Sequence, residues 1–371
     1  MAIPDKNNPR TTRRGTMKID FGLHFFPDFG PEDKSARDTF QDYLKIVDLV
    51  DELGFKVIRI VEHYFENYGG YSPNPLLFLS AASQRSQKAQ IMPGAMLPVF
   101  NNPLKMAGEI AMLDAISDGR LEVGFARAFL PHEFERFGID MEESRARFDE
   151  GVEAVRRLLE DRVASFEGKF VNFKNIPSLP RPTQLPRPAF WIAVLATPQS
   201  FIEAGKKGYY VMANPLAGPR MADLLAQYRK AWKEAGHPGN GKVMISFRMF
   251  CLPDHKEAYD TFRAPVMAHL NALVAGATVV EGWGTGKKVK DYPGYDAILN
   301  ILKNETYDEQ IEKHSTWVGT PAEVKKQIEE YYTEVGGFDI ASLNGLPWLM
   351  PLETSKRSLR TFAAEVMPAF R

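Results

Sequence analysis

GRLEVGFARAFLPHEFERFGIDMEESRARF, residues 119–148, carries the pattern from which the fold can be read. Leu121, Val123 and Phe125 alternate with their neighbours, the period-two signature of a short buried strand. The strand ends at Gly124–Phe125–Ala126–Arg127, and a loop follows. Ser144 then opens a helix in which Phe148, Val152, Val155 and Leu159 recur at spacings of three and four. A strand, a loop and a helix in that order bring two arginines, Arg127 and Arg145, to one end of a strand layer. Guanidinium forks beside the free amides of a helix N-terminus suit a phosphate dianion. The plainer alternative is an ion pair, since Glu133, Glu135 and Glu142 lie near enough in sequence to serve.

Outward from this stretch the same unit repeats. Strands are expected at Ile19–Phe25, Val57–Val61, about Ala89–Leu97, Phe190–Val194, Tyr209–Met212, Val243–Cys251 and Phe338–Leu343. Apolar stripes predict a helix after most of them, and Gly54 closes the first. Residues 161–188 break the rhythm with a hairpin around Phe166–Phe173 and a proline-dense linker, and 254–317 read as mostly helical around a glycine-rich segment, 282–294. About eight strand–helix units predict an α/β fold, a (β/α)8 TIM barrel with an insertion or lid (about 276–316) before the last strand. An open doubly wound sheet is the runner-up. In a barrel the loops after the strands share one face, so His24, His63, the turn at 98–103, Arg127, Thr197 and Asn344 are expected to converge there.

Composition narrows the function. The chain has 371 residues and a formal charge of −1 with acids and bases interspersed, which argues against nucleic acid as a partner. A single cysteine, Cys251 in an apolar run, excludes an intramolecular disulfide and a cysteine-built metal site. No apolar run is long enough for a membrane span. Residues 1–16 are polar with two prolines and three arginines; they are expected to be a disordered tail, with residues 17–371 forming one domain in the cytoplasm.

Among candidate chemical residues, His63 in Glu62–His63–Tyr64–Phe65 follows a strand, where a histidine can act as base or hydrogen-bond donor or be satisfied by Glu62 or the backbone. No His-x-His pair follows the first strand, and His132–Glu133 lacks helical i, i+4 spacing, so no catalytic metal is expected. Gly282–Trp283–Gly284–Thr285–Gly286–Lys287–Lys288 fails both nucleotide-loop templates and reads as a flexible lid.

Taken together, Val61–Glu62–His63–Tyr64–Phe65, Leu97–Pro98 with Asn102–Pro103, Leu113–Asp114–Ala115–Ile116–Ser117–Asp118–Gly119–Arg120–Leu121, Gly124–Phe125–Ala126–Arg127, Ser144–Arg145 and Val318–Gly319–Thr320–Pro321 resemble the bacterial luciferase family over nearly all of 17–371. The resemblance implies FMN at the strand C-terminal mouth, with Arg127 and Arg145 on its 5′-phosphate, Thr197 and Ser200 adding contacts, and Gly94–Ala95–Met96 against the ring beside a non-proline cis peptide. It implies His63, with Tyr64 beside it, as the catalytic residues. The chemistry implied is two-component: reduced FMN from a separate NAD(P)H:flavin reductase meets O2, and a C4a-hydroperoxyflavin passes oxygen to an organic substrate by hydroxylation or Baeyer–Villiger insertion. A homodimer is implied as well. Tyr64 and Ala126 stand where the luciferase α chain has a second histidine and a reactive cysteine, and Val194 and Leu195 stand where it has an acidic residue and a serine, which argues against light emission. The aromatic residues Phe25, Phe26, Tyr64, Phe65, Tyr68, Tyr71, Phe100 and Phe129 suggest an apolar pocket for a hydrophobic or aromatic metabolite. Alternatives are a deazaflavin (coenzyme F420)-dependent oxidoreductase and a non-catalytic flavin-binding homologue.

Overall fold

The strands pair in parallel from β1 (Asp20–Phe25) outward: on one side β2 (Val57–Ile60) and β3 (Gln90–Pro93), on the other β11 (Ile340–Asn344). The ladder continues from β11 through β9 (Val243–Cys251), β8 (Tyr210–Ala213) and β7 (Phe190–Val194) to β4 (Val123–Phe125). Bridges Ile91–Leu121 and Met96–Phe125 join β3 to β4 and close the ring, so the eight-stranded barrel prevails over the open sheet. These relations come from a computed structural model that describes residues 17–280, 292 and 295–371. The expected tail at 1–16 and most of the glycine-rich lid segment lie outside the described residues.

Local chemistry explains the crossovers. Asn74 and Asn102 each accept a hydrogen bond from the backbone two residues on, with proline at the first helical position, and so start the helices Pro75–Arg85 and Pro103–Ile116. Thr320 and Glu323 form a reciprocal capping box at Pro321–Val335. The hairpin appears as expected, β5 (Val163–Glu167) paired antiparallel with β6 (Asn172–Pro177). Two elements differ from the sequence reading. Residues expected as loop form a short helix, Pro131–Phe137, capped by left-handed Gly138. At the end of the stretch expected to be helical, 254–317, β10 (Thr316–Gly319) pairs with β9. A four-residue strand buried throughout has no alternation to betray it.

The core has two parts. The larger fills the space between barrel and helices. The smaller, including Met92, Trp191, Met212 and Met244, is a plug inside the barrel. Gly124 is required here, because a Cβ would collide with the Met212 side chain and the Pro93 carbonyl. The plug fills the barrel below and leaves the strand C-terminal end open.

Candidate functional site

A cavity of about 850 Å³ occupies that end, bordered by the loops and strand tips of the barrel. It gathers His24, His63, Arg127, Thr197 and Asn344 as the topology predicts. The turn at 98–103 is not part of its lining; instead Asn101 donates to the Glu62 carboxylate at 2.7 Å.

His63 follows β2 and is 8% exposed. Its Nδ1 lies 3.0 Å from Glu133 Oε1, an oxygen that also accepts the Tyr64 backbone N–H at 3.0 Å. Glu133 is fully buried on the short helix Pro131–Phe137, and its other oxygen has no hydrogen-bond partner among the described residues. Thus the His63 ring is held by Glu133 and not by Glu62 or backbone, and Glu133 is spent on His63 rather than on an arginine. A carboxylate accepting from Nδ1–H fixes the tautomer and leaves Nε2 as the nitrogen able to exchange a proton in the cavity. Gly69, at φ +79°, permits this position, because a Cβ there would sit 2.8 Å from His63 Cβ and Cδ2.

Tyr64 lies outside the cavity lining. Its hydroxyl donates to Glu62 at 2.6 Å, and its ring packs against Phe65, Phe100 and Phe137. The geometry therefore gives it a structural contact rather than the catalytic position expected beside His63. Burial pushes the Glu62 carboxyl up to about 7, against the opposing pull of its hydrogen bonds from Tyr64, Asn101 and Leu97. Of the eight aromatic residues noted in the sequence, Phe26, Tyr68 and Phe129 line the cavity, whereas Phe25 is core and Tyr71 packs on Phe29.

Arg127 leaves β4 and stacks 3.9 Å from the Tyr292 ring centroid, with Nη1 buried and without a hydrogen-bond partner among the described residues. Arg145 lies in the first turn of Ser144–Glu160, a helix whose N-cap makes no side-chain bond. Both guanidinium groups line the cavity, both act on Tyr295, and neither forms an ion pair among the described residues. Thr197 and Ser200 open the helix Pro198–Lys206, likewise without a side-chain cap, on the same wall. Two cations without a carboxylate partner among the described residues, an N–H group of Arg127 with no partner there, hydroxyls and uncapped helix starts form a donor set that fits a phosphate dianion. Gly94 and Ala95 line the cavity and are joined by a cis peptide bond; Met96 is buried behind them and outside the lining. A Cβ at Gly94 would collide with the Arg59 side chain.

A family model described as luciferase-like monooxygenase matches residues 19–337. The chain belongs to the luciferase-like monooxygenase family. Among solved structures, this luciferase-like protein is 38% identical to monooxygenase RslO1 from Streptomyces bottropensis, covering 95% of this chain and all of that one with a TM-score of 0.85. The oxygenase component of the flavin-dependent trigonelline monooxygenase of Acinetobacter baylyi is 25% identical over 349 residues, 91% of this chain and 92% of that protein. The oxygenating constituent of 3,6-diketocamphane monooxygenase from Pseudomonas putida, a type II Baeyer–Villiger enzyme in complex with FMN, shares the fold at 21% identity, covering 95% of this chain and 98% of that one with a TM-score of 0.76.

Sequence reasoning missed the role of Glu133, read only as a possible ion-pair partner of an arginine, and two strand arginines at the cavity floor, Arg59 and Arg248. Leu130–Pro131 ahead of a Phe134–Phe137 spacing was a signal for the short helix that buries Glu133. Arg59 inside a run of β-branched residues was a signal of its own, because a charge in a buried strand needs a reason.

Proposed function

We propose that this luciferase-like protein is a two-component monooxygenase that takes reduced FMN from a separate NAD(P)H:flavin reductase and uses O2 to oxygenate a hydrophobic or aromatic metabolite. The observation that carries the reading is the pair Arg127 and Arg145, from two separate segments, lining one cavity with neither in an ion pair among the described residues. In this reading the two guanidinium groups, with Thr197, Ser200 and the start of their helix, hold the 5′-phosphate, and Gly94–Ala95 provides the flat backbone surface on which the ring rests.

When bound, reduced FMN supplies the electrons that activate dioxygen and deliver one oxygen atom to the substrate. The chain supplies position and protons. His63, oriented by Glu133 through Nδ1, holds or delivers a proton at Nε2. Phe26, Tyr68 and Phe129 present apolar surface that displaces water from the reacting groups. Cytoplasmic location and a homodimer belong to the same proposal; no helix among the described residues is long and apolar enough to cross a membrane.

Titration of reduced and oxidised FMN, with coenzyme F420 as comparator, tests the assignment. Saturable binding of FMN in preference to F420 is expected, weakened in Arg127→Ala and Arg145→Ala. Preference for F420, or wild-type FMN affinity in both variants, would overturn it.

A further inference from the structure

The far side of the same cavity carries a second cationic pole. His24 on β1 is in register with Arg59 on β2 and with Asn344 on β11, and Arg248 follows Phe247, the β9 partner of Leu343. Arg59, His24, Asn344 and Arg248 therefore form one row across four adjacent strands, on the arc of the barrel opposite β4 and β7. Parallel neighbours in register project to the same side, and all four line the cavity.

This row contains more positive charge than its acids can balance. Arg59 is 7% exposed. Its Nη2 donates to Ser246 Oγ at 2.8 Å, Nη1 rests 3.6 Å from the Met244 sulfur, and Nε has no partner among the described residues. Arg248 donates through Nη1 to Gln310 Oε1 at 2.8 Å. Neither arginine forms an ion pair among the described residues. The nearby acids are engaged elsewhere: Asp28 with His269 at 2.9 Å, and Glu305 with Lys313 at 2.8 Å. Asp28 Oδ1 is left without a hydrogen-bond partner among the described residues; with Glu305 it offsets Arg248 from a distance, whereas burial alone acts on Arg59 and no acid compensates it among the described residues. Burying an uncompensated cation is unfavourable, and such a group persists where a ligand of opposite charge completes it.

We infer that this end of the cavity is a carboxylate-binding site: the substrate is an aromatic carboxylate whose acid group is held by Arg59 and Arg248 while its ring lies against Phe26 and Tyr68. A planar guanidinium fork matches a carboxylate in geometry as well as charge. The Phe26 and Tyr68 rings, 4.5 Å apart, continue to His269 at 5.0 Å from Phe26, so an aromatic surface leads to the cationic row. The field of the row is visible in its histidine: burial, then Arg59, His269 and Arg248, hold His24 well below its ordinary range, so it remains neutral and adds no competing charge. One phosphate dianion at Arg127 and Arg145 cannot also satisfy the opposite arc. The inference rests on the oxygenase reading only in assigning this pole to substrate rather than cofactor.

The test uses 2-naphthoate and its neutral isostere 2-naphthamide, titrated calorimetrically into the full chain with and without FMN, and FMN titrated separately. 2-Naphthoate should bind at least about 10-fold more tightly than the amide, and Arg248→Met and Arg59→Met should each remove about 10-fold or more of that preference while FMN affinity stays as in the wild type. Equal binding of the two probes, undetectable binding of the carboxylate, or a preference that survives Arg248→Met would overturn the proposal. So would a loss of FMN affinity in Arg248→Met, which would assign the row to the cofactor. If Arg59→Met does not fold, Arg248→Met decides. Failure of wild-type protein to bind FMN would count against the oxygenase reading and leave the carboxylate preference to be read by itself.

Discussion

Arg127 and Arg145 sit on segments that leave the barrel, whereas Arg59 lies within β2 and Arg248 within β9. Both pairs lack carboxylate partners among the described residues and both face one cavity, yet their settings differ. The mouth pair has a π-face at Tyr292 and uncapped helix starts beside it, so an incoming anion meets ready donors with little reorganisation. The floor pair rests on methionine sulfur, a serine hydroxyl and a glutamine amide, where a guanidinium loses much of its hydration. Burial alone pushes the Arg59 guanidinium down to about 10. Position along a strand thus sets the energetic character of an arginine: at the tip it is poised for a ligand, and inside the barrel it carries a standing cost that a ligand relieves.

The largest expected effect falls between the two poles. His63→Ala should lower the product formed per reduced FMN consumed by about 10²–10⁴-fold, the usual span for loss of a positioned acid or base. Phosphate binding should be unaffected; if FMN affinity collapses with it, His63 belongs to the mouth pole and the division is wrong. Next come the mouth arginines. Arg127→Ala and Arg145→Ala each remove a charge-assisted bond worth about 1.5–3 kcal/mol, so equilibrium titration should show FMN binding weakened by roughly 10- to 150-fold.

An effect of similar size concerns pH. The buried Glu62 carboxyl is raised from its ordinary 4.5 to about 7, so the folded state binds this proton more tightly than the unfolded chain does. The stability it confers is present in full below pH 4.5 and is lost as pH rises through about 7. At about 1.4 kcal/mol per unit the span is roughly 3 kcal/mol. Glu62→Gln, which cannot ionise, should flatten the decline between pH 5 and 8 in denaturant titrations. An unchanged slope would show that the carboxyl does not carry it.

The smallest effect contrasts the poles directly. In ligand-free protein Arg59→Met should raise the thermal midpoint by about 2–5 °C, since an apolar chain of similar length removes a buried, uncompensated charge. Arg145→Met, at the partly exposed mouth, should stay within about 1 °C. Equal shifts would erase the distinction.

How much of this was legible follows the range over which each signal acts. β7 and β9 were read with their observed limits, because alternation and long apolar runs are local. Arg127 and Arg145 were legible because a strand end and a helix start announce themselves within a few residues. Glu133 was not, since its partner lies seventy positions away and its helix has only seven residues. Tyr64 misled for the same reason: adjacency to His63 in sequence says nothing about whether a side chain turns toward the cavity or toward Glu62.

By itself the sequence determined the period of its strands and helices, and with it a closed ring of parallel strands whose loops share one face. It also placed the two mouth arginines on that face, because helix caps and strand ends are written in consecutive residues. Only the tertiary structure decided which carboxylate orients His63, that Tyr64 turns away, and that Arg59 and Arg248 share a row. Those outcomes depend on the register between strands distant in the chain and on which charges remain unpaired once every neighbour is in place, and neither quantity exists until the barrel has closed.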